Sequence, residues 1–122
     1  MLSPNLILLY VADPIRSSEF YQQLLGRSPD VALPSWAAFS FDNGLNLGLW
    51  STSARDFVSA GSGHRAEISF MVTDAAEVEA LYQQWLAQGV IIEQPPFNAI
   101  FGRTFVVLDP DGHRLRVCMP DD

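Results

Sequence analysis

The sequence predicts one α+β domain made of two similar halves, each running from a strand to a helix and then to further strands. An apolar run ends at an aspartate in both halves, in Leu6–Asp13 (LILLYVAD) and in Glu67–Asp74 (EISFMVTD). Eight residues after each aspartate a tyrosine opens a similar word, YQQLL at Tyr21 and YQQWL at Tyr82. Further on, FDNG precedes LNLGLW and LDPDG precedes HRLRVCM, and each pair reads as a turn followed by an alternating strand. Repeated words in the same order indicate an internal duplication.

The helix of the first half has a start signal, an apolar stripe and a stop signal. Asp13 is a preferred N-cap residue, and Pro14 suits the first helical position, where no backbone donor is needed. Gly26 is a suitable residue for the end of the helix. Apolar side chains follow helical spacing between these signals, at Phe20, Tyr21, Leu24 and Leu25.

The helix of the second half carries the same signals. Asp74 and Glu77 have the spacing of a capping box, in which each residue satisfies a backbone N–H at the start of the helix. Gly89 is placed to end it. The apolar stripe is Val78, Leu81, Tyr82, Trp85 and Leu86.

A small, polar stretch at residues 51–64 separates the halves and is interpreted as a linker inside one domain. The predicted modules are then about 1–50 and about 65–122. Each half alone is too short to bury its strands, so the 122 residues are expected to fold as a unit.

Composition excludes several functions. The net charge is −7, with seven arginines and no lysine, so the chain should repel nucleic acid. No apolar run approaches the roughly 18 residues of a membrane span, and the N-terminus lacks the basic region of a secretory signal. Cys118 is the single cysteine, which fits a reducing compartment. We therefore expect a cytoplasmic protein without membrane or nucleic-acid partners.

Strand alternation sorts the predicted strand residues onto two faces. One face is entirely apolar and is expected to form the core under the helices: Ile7, Leu9, Val11, Phe39, Phe41, Leu45, Leu47, Leu49, Ile68, Phe70, Val72, Val106, Leu108, Leu115 and Val117. The other face mixes aromatic, small and charged residues: Leu6, Leu8, Tyr10, Ala38, Ser40, Asn46, Gly48, Trp50, Glu67, Ser69, Met71, Arg103, Phe105, Val107, Arg114, Arg116 and Cys118. That mixture is typical of a half-open ligand cavity, although a dimer interface or a solvent face has a similar composition.

The paired strand–aspartate–helix words and DPDGHRLRV resemble the vicinal-oxygen-chelate superfamily of glyoxalases, extradiol dioxygenases and antibiotic resistance proteins. The stretches PNLILLYV, RSSEFY and FGRTFVVLDPDGHRLRVC are more similar to its phenazine antibiotic resistance proteins. The resemblance implies two βαβββ modules that curl a mixed sheet around a cavity. It also implies homodimers whose cavities draw on both chains.

The enzymes of this superfamily hold a metal with four cavity-facing ligands. The resemblance maps those positions onto Leu6, Gly48, Glu67 and Arg116, of which only Glu67 can bind a cation. A divalent metal needs several converging donors, so we expect no metal and no other cofactor. His64 and His113 are interpreted as surface residues.

The ligand predicted for the cavity is a planar aromatic molecule. Trp50 lies on the non-core face, and Gly48, two residues earlier, is expected to leave space in front of it for a stacked ring. The resemblance implies that a tricyclic phenazine stacks at Trp50. The other predicted ligand-binding residues are Trp36, Ser40, Arg103, Phe105, Glu67 and Arg116.

Arg103 and Arg116 are candidates for pairing with a ligand carboxylate, because the guanidinium presents a planar fork of donors. The alternative for Arg116 is an internal ion pair with Glu67. The sequence therefore favours a homodimer that sequesters a planar antibiotic such as a phenazine without transforming it. The alternative is a diverged enzyme, either a lyase or isomerase of the glyoxalase kind or another enzyme of the superfamily. A third option is a regulatory or structural domain whose cavity is vestigial.

Overall fold

A computed structural model describes residues 2–55, 57 and 66–119, and it divides the chain into two compact units, Met1–Ser62 and Gly63–Asp122. The division falls within the predicted linker, most of which lies outside the described residues, as does His64. That the two units act as one domain stays a prediction.

The first unit contains one helix and four strands in the order strand, helix, strand, strand, strand. The elements are β1 (Leu6–Val11), α1 (Pro14–Leu25), β2 (Val31–Ala32), β3 (Trp36–Ser40) and β4 (Asn46–Ser51). The sheet has the order β1-β4-β3-β2, in which β1 and β4 are parallel and the other neighbours antiparallel.

The second unit repeats this topology. Its elements are β5 (Ile68–Met71), α2 (Ala75–Ala87), β6 (Ile91–Ala99), β7 (Gly102–Leu108) and β8 (Arg114–Cys118). The sheet order is β5-β8-β7-β6, again with the first pair parallel and the others antiparallel. Two mixed sheets with one helix each confirm the α+β class and the βαβββ modules.

Both helices begin at the predicted caps. The Asp13 carboxylate accepts hydrogen bonds from the N–H groups of Ile15 and Arg16 at 3.1 and 3.3 Å. The Asp74 carboxylate accepts the Glu77 N–H at 2.9 Å. The Glu77 carboxylate reaches back to the N–H of Thr73 at 3.1 Å, one residue before the cap. These bonds satisfy donors that have no partner inside the helix.

Each helix packs on one face of its own sheet, and the core of each unit lies between that helix and that sheet. In the first unit the buried apolar residues are Val11, Tyr21, Leu24, Ala37, Phe39, Leu47 and Leu49. In the second they are Val78, Trp85, Phe105, Val106, Val107, Leu115 and Val117. The predicted core faces of β4 and β8 are therefore correct, and that of β5 is supported by Phe70, whose ring centroid lies 5.9 Å from that of Trp85.

The predicted face of β7 is wrong. The Phe105 ring packs against Tyr82 and Trp85 of α2, with ring centroids 5.4 and 5.5 Å apart, so Phe105 lies on the helix side. Val106 is the cross-strand partner of Arg116 and lies on the opposite face. The whole stretch Thr104–Val107 is buried, which is why its apolar residues show no alternation from which a face can be read.

Each sheet has one irregular edge strand, β2 in the first and β6 in the second. β2 has only two residues, Val31–Ala32. β6 carries Pro95 and Pro96 and shifts its register against β7 twice, between Ile92 and Gln94 and between Gln94 and Phe97. Within the part of the chain that the structure describes, no helix is both long and apolar enough to cross a membrane.

Candidate ligand site

The face of the first sheet that α1 leaves uncovered is rich in large apolar side chains. We call it the aromatic face, and by strand register it consists of Leu6, Leu8, Tyr10, Trp36, Ala38, Ser40, Asn46, Gly48 and Trp50. Leu6 and Tyr10 are each nearly half exposed. None of the nine residues carries a charge. An exposed apolar patch of this kind is typical of an interaction site.

Trp50 lies in a cluster of three rings. Its ring centroid is 6.4 Å from that of Tyr10 and 5.4 Å from that of Phe57, and Tyr10 and Phe57 are 4.9 Å apart. All three pairs meet edge to face, with interplanar angles of 62 to 78°. This geometry is favourable for aromatic pairs and holds the half-buried Trp50 indole in place. Tyr10 was not among the predicted ligand-binding residues, although its strand position already placed it beside Trp50.

Trp36 is the direct cross-strand partner of Trp50, so both indoles lie on the aromatic face. The indole of Trp36 extends over the backbone of Gly48: a Cβ placed on Gly48 would lie 2.9 Å from Trp36 Cζ3, closer still to Cη2, and 3.0 Å from Leu8 Cδ1. The expectation of free space in front of Gly48 is therefore wrong. Trp36 already occupies it.

The polar members of the aromatic face bond to each other. The Ser40 hydroxyl donates to the Asn46 side-chain oxygen at 2.8 Å, and the Asn46 amide donates to the Asn5 carbonyl at 3.0 Å. Ser40 thus lies on the predicted face, at the end of β3 away from Trp36. It forms a polar border to the tryptophan pair.

The second unit presents a charged face in the corresponding position. We call it the ion-pair face, and it contains Glu67, Glu93, Thr104, Arg114 and Arg116. Arg116 Nε donates to Glu67 Oε2 at 2.6 Å and its Nη1 to the Thr104 hydroxyl at 3.2 Å. Arg114 pairs with Glu93 and lies 3.8 Å from Glu67.

The Arg116 pairing is the internal ion pair given as the alternative for that residue. The hydrogen bond from Arg116 holds the pKa of the Glu67 carboxyl below its ordinary value, with Arg114 contributing in the same direction. The Arg116 guanidinium also lies 5.7 Å from the centre of the Phe101 ring, within the range of a cation–π contact. Its charge is thus already compensated by protein groups.

Arg103 does not share this face. Its Nε donates to Glu79 of α2 at 2.8 Å, and Nη1 donates to Asn98 at 3.3 Å. Arg103 and Phe105 therefore both point to the helix side of the second sheet, which corrects their placement in the ligand site. The error has one cause, the reversed face of β7.

The four positions that hold the metal in the enzymes do not supply a fitting donor set. Leu6 and Gly48 have no donor atom in their side chains, and Glu67 is already bonded to Arg116. Among residues 2–55, 57 and 66–119, no three His, Cys, Asp or Glu side chains form a group that could hold an ion. A divalent cation at Glu67 would face the Arg116 guanidinium.

His113 is better described as a partner of Asp109 than as a free surface residue. Its Nδ1 lies 2.7 Å from Asp109 Oδ2, and the Asp109 side chain is fully buried. The hydrogen bond to Asp109 raises the pKa of His113, partly opposed by burial. The other carboxylate oxygen accepts the N–H groups of Asp111 and His113, so the carboxylate organises the turn between β7 and β8.

The two units share one βαβββ topology. The chain belongs to the Glyoxalase/Bleomycin resistance protein/Dioxygenase superfamily, whose family model matches residues 3–117. This confirms the resemblance on which the sequence predictions drew.

The chain is also similar to individual proteins. The chain is similar to the phenazine antibiotic resistance protein EhpR of Enterobacter agglomerans, with 32% identity over 123 residues that cover 98% of this chain and 94% of that protein. It is similar over the full length of both chains to protein ATC0852 from Agrobacterium tumefaciens, with 37% identity and a TM-score of 0.86. A glyoxalase/bleomycin resistance protein/dioxygenase from Nocardioides shares the fold, with a TM-score of 0.81 and 21% identity over all of this chain and 85% of that one.

Proposed function

We propose that this protein binds and sequesters a planar aromatic antibiotic, such as a phenazine, by stacking on the aromatic face. The observation that carries the proposal is the Trp36–Trp50 pair, which lies on an uncovered sheet face without a charged residue. Similarity to a phenazine antibiotic resistance protein supports the same ligand class and a role in resistance. The single cysteine is consistent with action in the cytoplasm.

Stacking suits the chemistry of this face. A flat ring system gains mainly from buried area and from contact with an indole, and both tryptophans are held by neighbouring apolar groups before any ligand arrives. Because Tyr10 and Phe57 both contact Trp50 in edge-to-face geometry, its indole is held by its neighbours. Little ordering is then required on binding.

The ion pairs of Arg103 and Arg116 favour recognition of the ligand's ring system over recognition of a negatively charged substituent. Arg103 is bonded to Glu79 and Arg116 to Glu67, so a ligand carboxylate would have to displace a protein carboxylate from either. Replacing one anion by another gains little net energy. We therefore propose that the ring system, and not an acidic substituent, provides most of the affinity.

We propose that binding requires no metal and that the protein does not transform the ligand chemically. The support is the Glu67–Arg116 pair, since Glu67 is the one mapped metal-ligand position with a donor side chain and its carboxylate is already bonded to a guanidinium. A thermal shift on adding Ni²⁺ or Zn²⁺ that a chelator reverses would contradict metal independence.

The working form is proposed to be a homodimer. Each sheet ends in a regular edge strand, β1 or β5, and such edges are usually covered by another chain or element. Sedimentation at micromolar concentration should show a species of about twice 13.5 kDa. A 13.5 kDa species alone would argue against a dimer.

The decisive experiment is a titration of unsubstituted phenazine into wild type and Trp50→Ala, followed by fluorescence quenching and calorimetry. Loss of one stacking platform should cost about 1–3 kcal/mol of binding energy, or a tenfold to hundredfold rise in Kd. Trp85→Phe is the matched control, because Trp85 of α2 is buried against the second sheet, where it contacts Phe105. This substitution should lower thermal stability but leave Kd unchanged.

Two results would reject the proposal. One is the absence of binding to wild type at high micromolar phenazine. The other is an equal Kd for wild type and Trp50→Ala, which would make Trp50 a packing residue only.

A further inference from the structure

We infer that Gly48 is a positioning residue that seats the Trp36 indole against the first sheet, so that Trp36 forms the second stacking surface of the site. The ligand part of this inference rests on the proposed function. The seating of Trp36 rests on the structure of the first unit alone.

Gly48 is not required by its backbone conformation. Of the glycines that the structure describes, those with positive φ are Gly26, Gly44, Gly89, Gly102 and Gly112. Gly48 lies in the middle of β4 with ordinary strand geometry, paired with Leu8 on one side and Ala38 on the other. Glycine weakens a strand interior, so its presence there calls for a close approach by another group.

The group that approaches is the six-membered ring of Trp36. An added Cβ at Gly48 would lie 2.9 Å from Trp36 Cζ3 and closer still to Cη2, whereas ordinary contacts lie at 3.4–4 Å. Trp36 is rigid beyond two rotatable bonds, so it cannot yield at the ring tip alone. A methyl group at position 48 would tilt the whole indole away from the sheet.

The position of Trp36 follows from the register. Trp36 faces Trp50 directly across β3 and β4, and Gly48 is the next residue of β4 on the same face. From its position opposite Trp50, the Trp36 indole therefore extends along the sheet and covers Gly48. With a larger residue at position 48, Trp36 would have to stand away from the sheet and occupy the space in which a ligand ring would stack.

A double-mutant cycle tests this coupling. The proteins are wild type, Gly48→Ala, Trp36→Phe and the double variant, each titrated with unsubstituted phenazine and recorded by near-UV circular dichroism. We expect Gly48→Ala to raise Kd by about tenfold and to change the tryptophan bands. In the Trp36→Phe background, which lacks Cη2 and Cζ3 of the indole, the same alanine should change Kd by less than about twofold.

Each outcome bears on a defined claim. Equal Kd and equal near-UV spectra for Gly48→Ala and wild type would overturn the inference, and so would an equal loss of affinity in both backgrounds. If Gly48→Ala fails to fold but the double variant folds, the clash with Trp36 is supported; failure of both would overturn it. Absence of phenazine binding to wild type rejects the proposed function, and the near-UV spectra then still decide whether Gly48 seats Trp36.

Discussion

The substitution Phe105→Ala tests the corrected face of β7, because it separates a core residue from a ligand-binding one. Phe105 is fully buried and contacts two aromatic rings of α2, Tyr82 and Trp85. Its matched control is Phe97→Ala on the adjacent strand β6, where the Phe97 side chain is 37% exposed. Both variants remove the same atoms from the same sheet.

The expected losses of stability differ several-fold. Truncation of a buried phenylalanine typically costs about 3–5 kcal/mol. Each aromatic pair adds about 0.5–1.5 kcal/mol beyond the buried area, and Phe105 makes two such pairs, which favours a value of about 4–5 kcal/mol. Phe97→Ala should cost about 1 kcal/mol, because its ring already contacts water.

Urea unfolding followed by far-UV circular dichroism measures both values. With a slope of about 2 kcal/mol per molar urea, Phe105→Ala should lower the midpoint by about 2 M and Phe97→Ala by about 0.5 M. Phenazine affinity of the folded Phe105→Ala protein should stay near that of wild type. A midpoint shift no larger than that of Phe97→Ala, together with weaker phenazine binding, would restore Phe105 to the ligand site and refute the assignment.

Two further predictions concern pH. The bond to Asp109 raises the pKa of His113, so wild type should exceed His113→Gln in stability by about 1.5 kcal/mol below pH 6.5, and the difference should vanish as pH rises through that raised pKa. Urea midpoints at pH 5.5 and 8.5 check this, and a pH-independent difference would contradict it. The second prediction concerns Glu67, whose pKa Arg116 lowers. Wild type should exceed Glu67→Gln in stability by less than about 1 kcal/mol, because the pair is partly exposed. This difference should be present above about pH 4.3 and disappear as pH falls through the lowered pKa of Glu67. An acid titration of both proteins that shows parallel curves would exclude the pair as a source of stability.

Much of the fold could be predicted because its signals are local. The caps at Asp13 and Asp74 and the helix stripes depend on residues three or four positions apart. The faces of β4 and β8 could be read because polar and apolar residues alternate along them. These features needed no knowledge of tertiary contacts.

The face of β7 could not be read from alternation, since its residues are buried on both sides. A different signal was present in the two turns. Phe41 N–H bonds to the Leu45 carbonyl, and Asp109 N–H bonds to the His113 carbonyl, so both turns span five residues. Counting back from their glycines, Gly44 and Gly112, would have aligned β7 with β3 in the correct register. A shift of one residue exchanges the two faces of a strand.

The site was only partly predictable for another reason. Placing Trp36 over Gly48 requires the direction in which a side chain leans along the sheet, and strand spacing does not contain that direction. The bond of Arg103 to Glu79 joins β7 to α2 and depends on the same face that the sequence obscured. The face of Trp50 and the Glu67–Arg116 pair could be predicted from the sequence, because alternation assigns these residues to one face of their strands.

The irregular edge strands β2 and β6 limit where another chain can add a strand to the sheets of this protein. The short β2 offers a strand too brief to template another chain, and the prolines of β6 remove the N–H groups that an added strand would need. Each sheet keeps one regular edge, β1 in the first and β5 in the second. Addition of a strand from another chain is therefore confined to one side of each sheet, next to β1 in the first unit and next to β5 in the second.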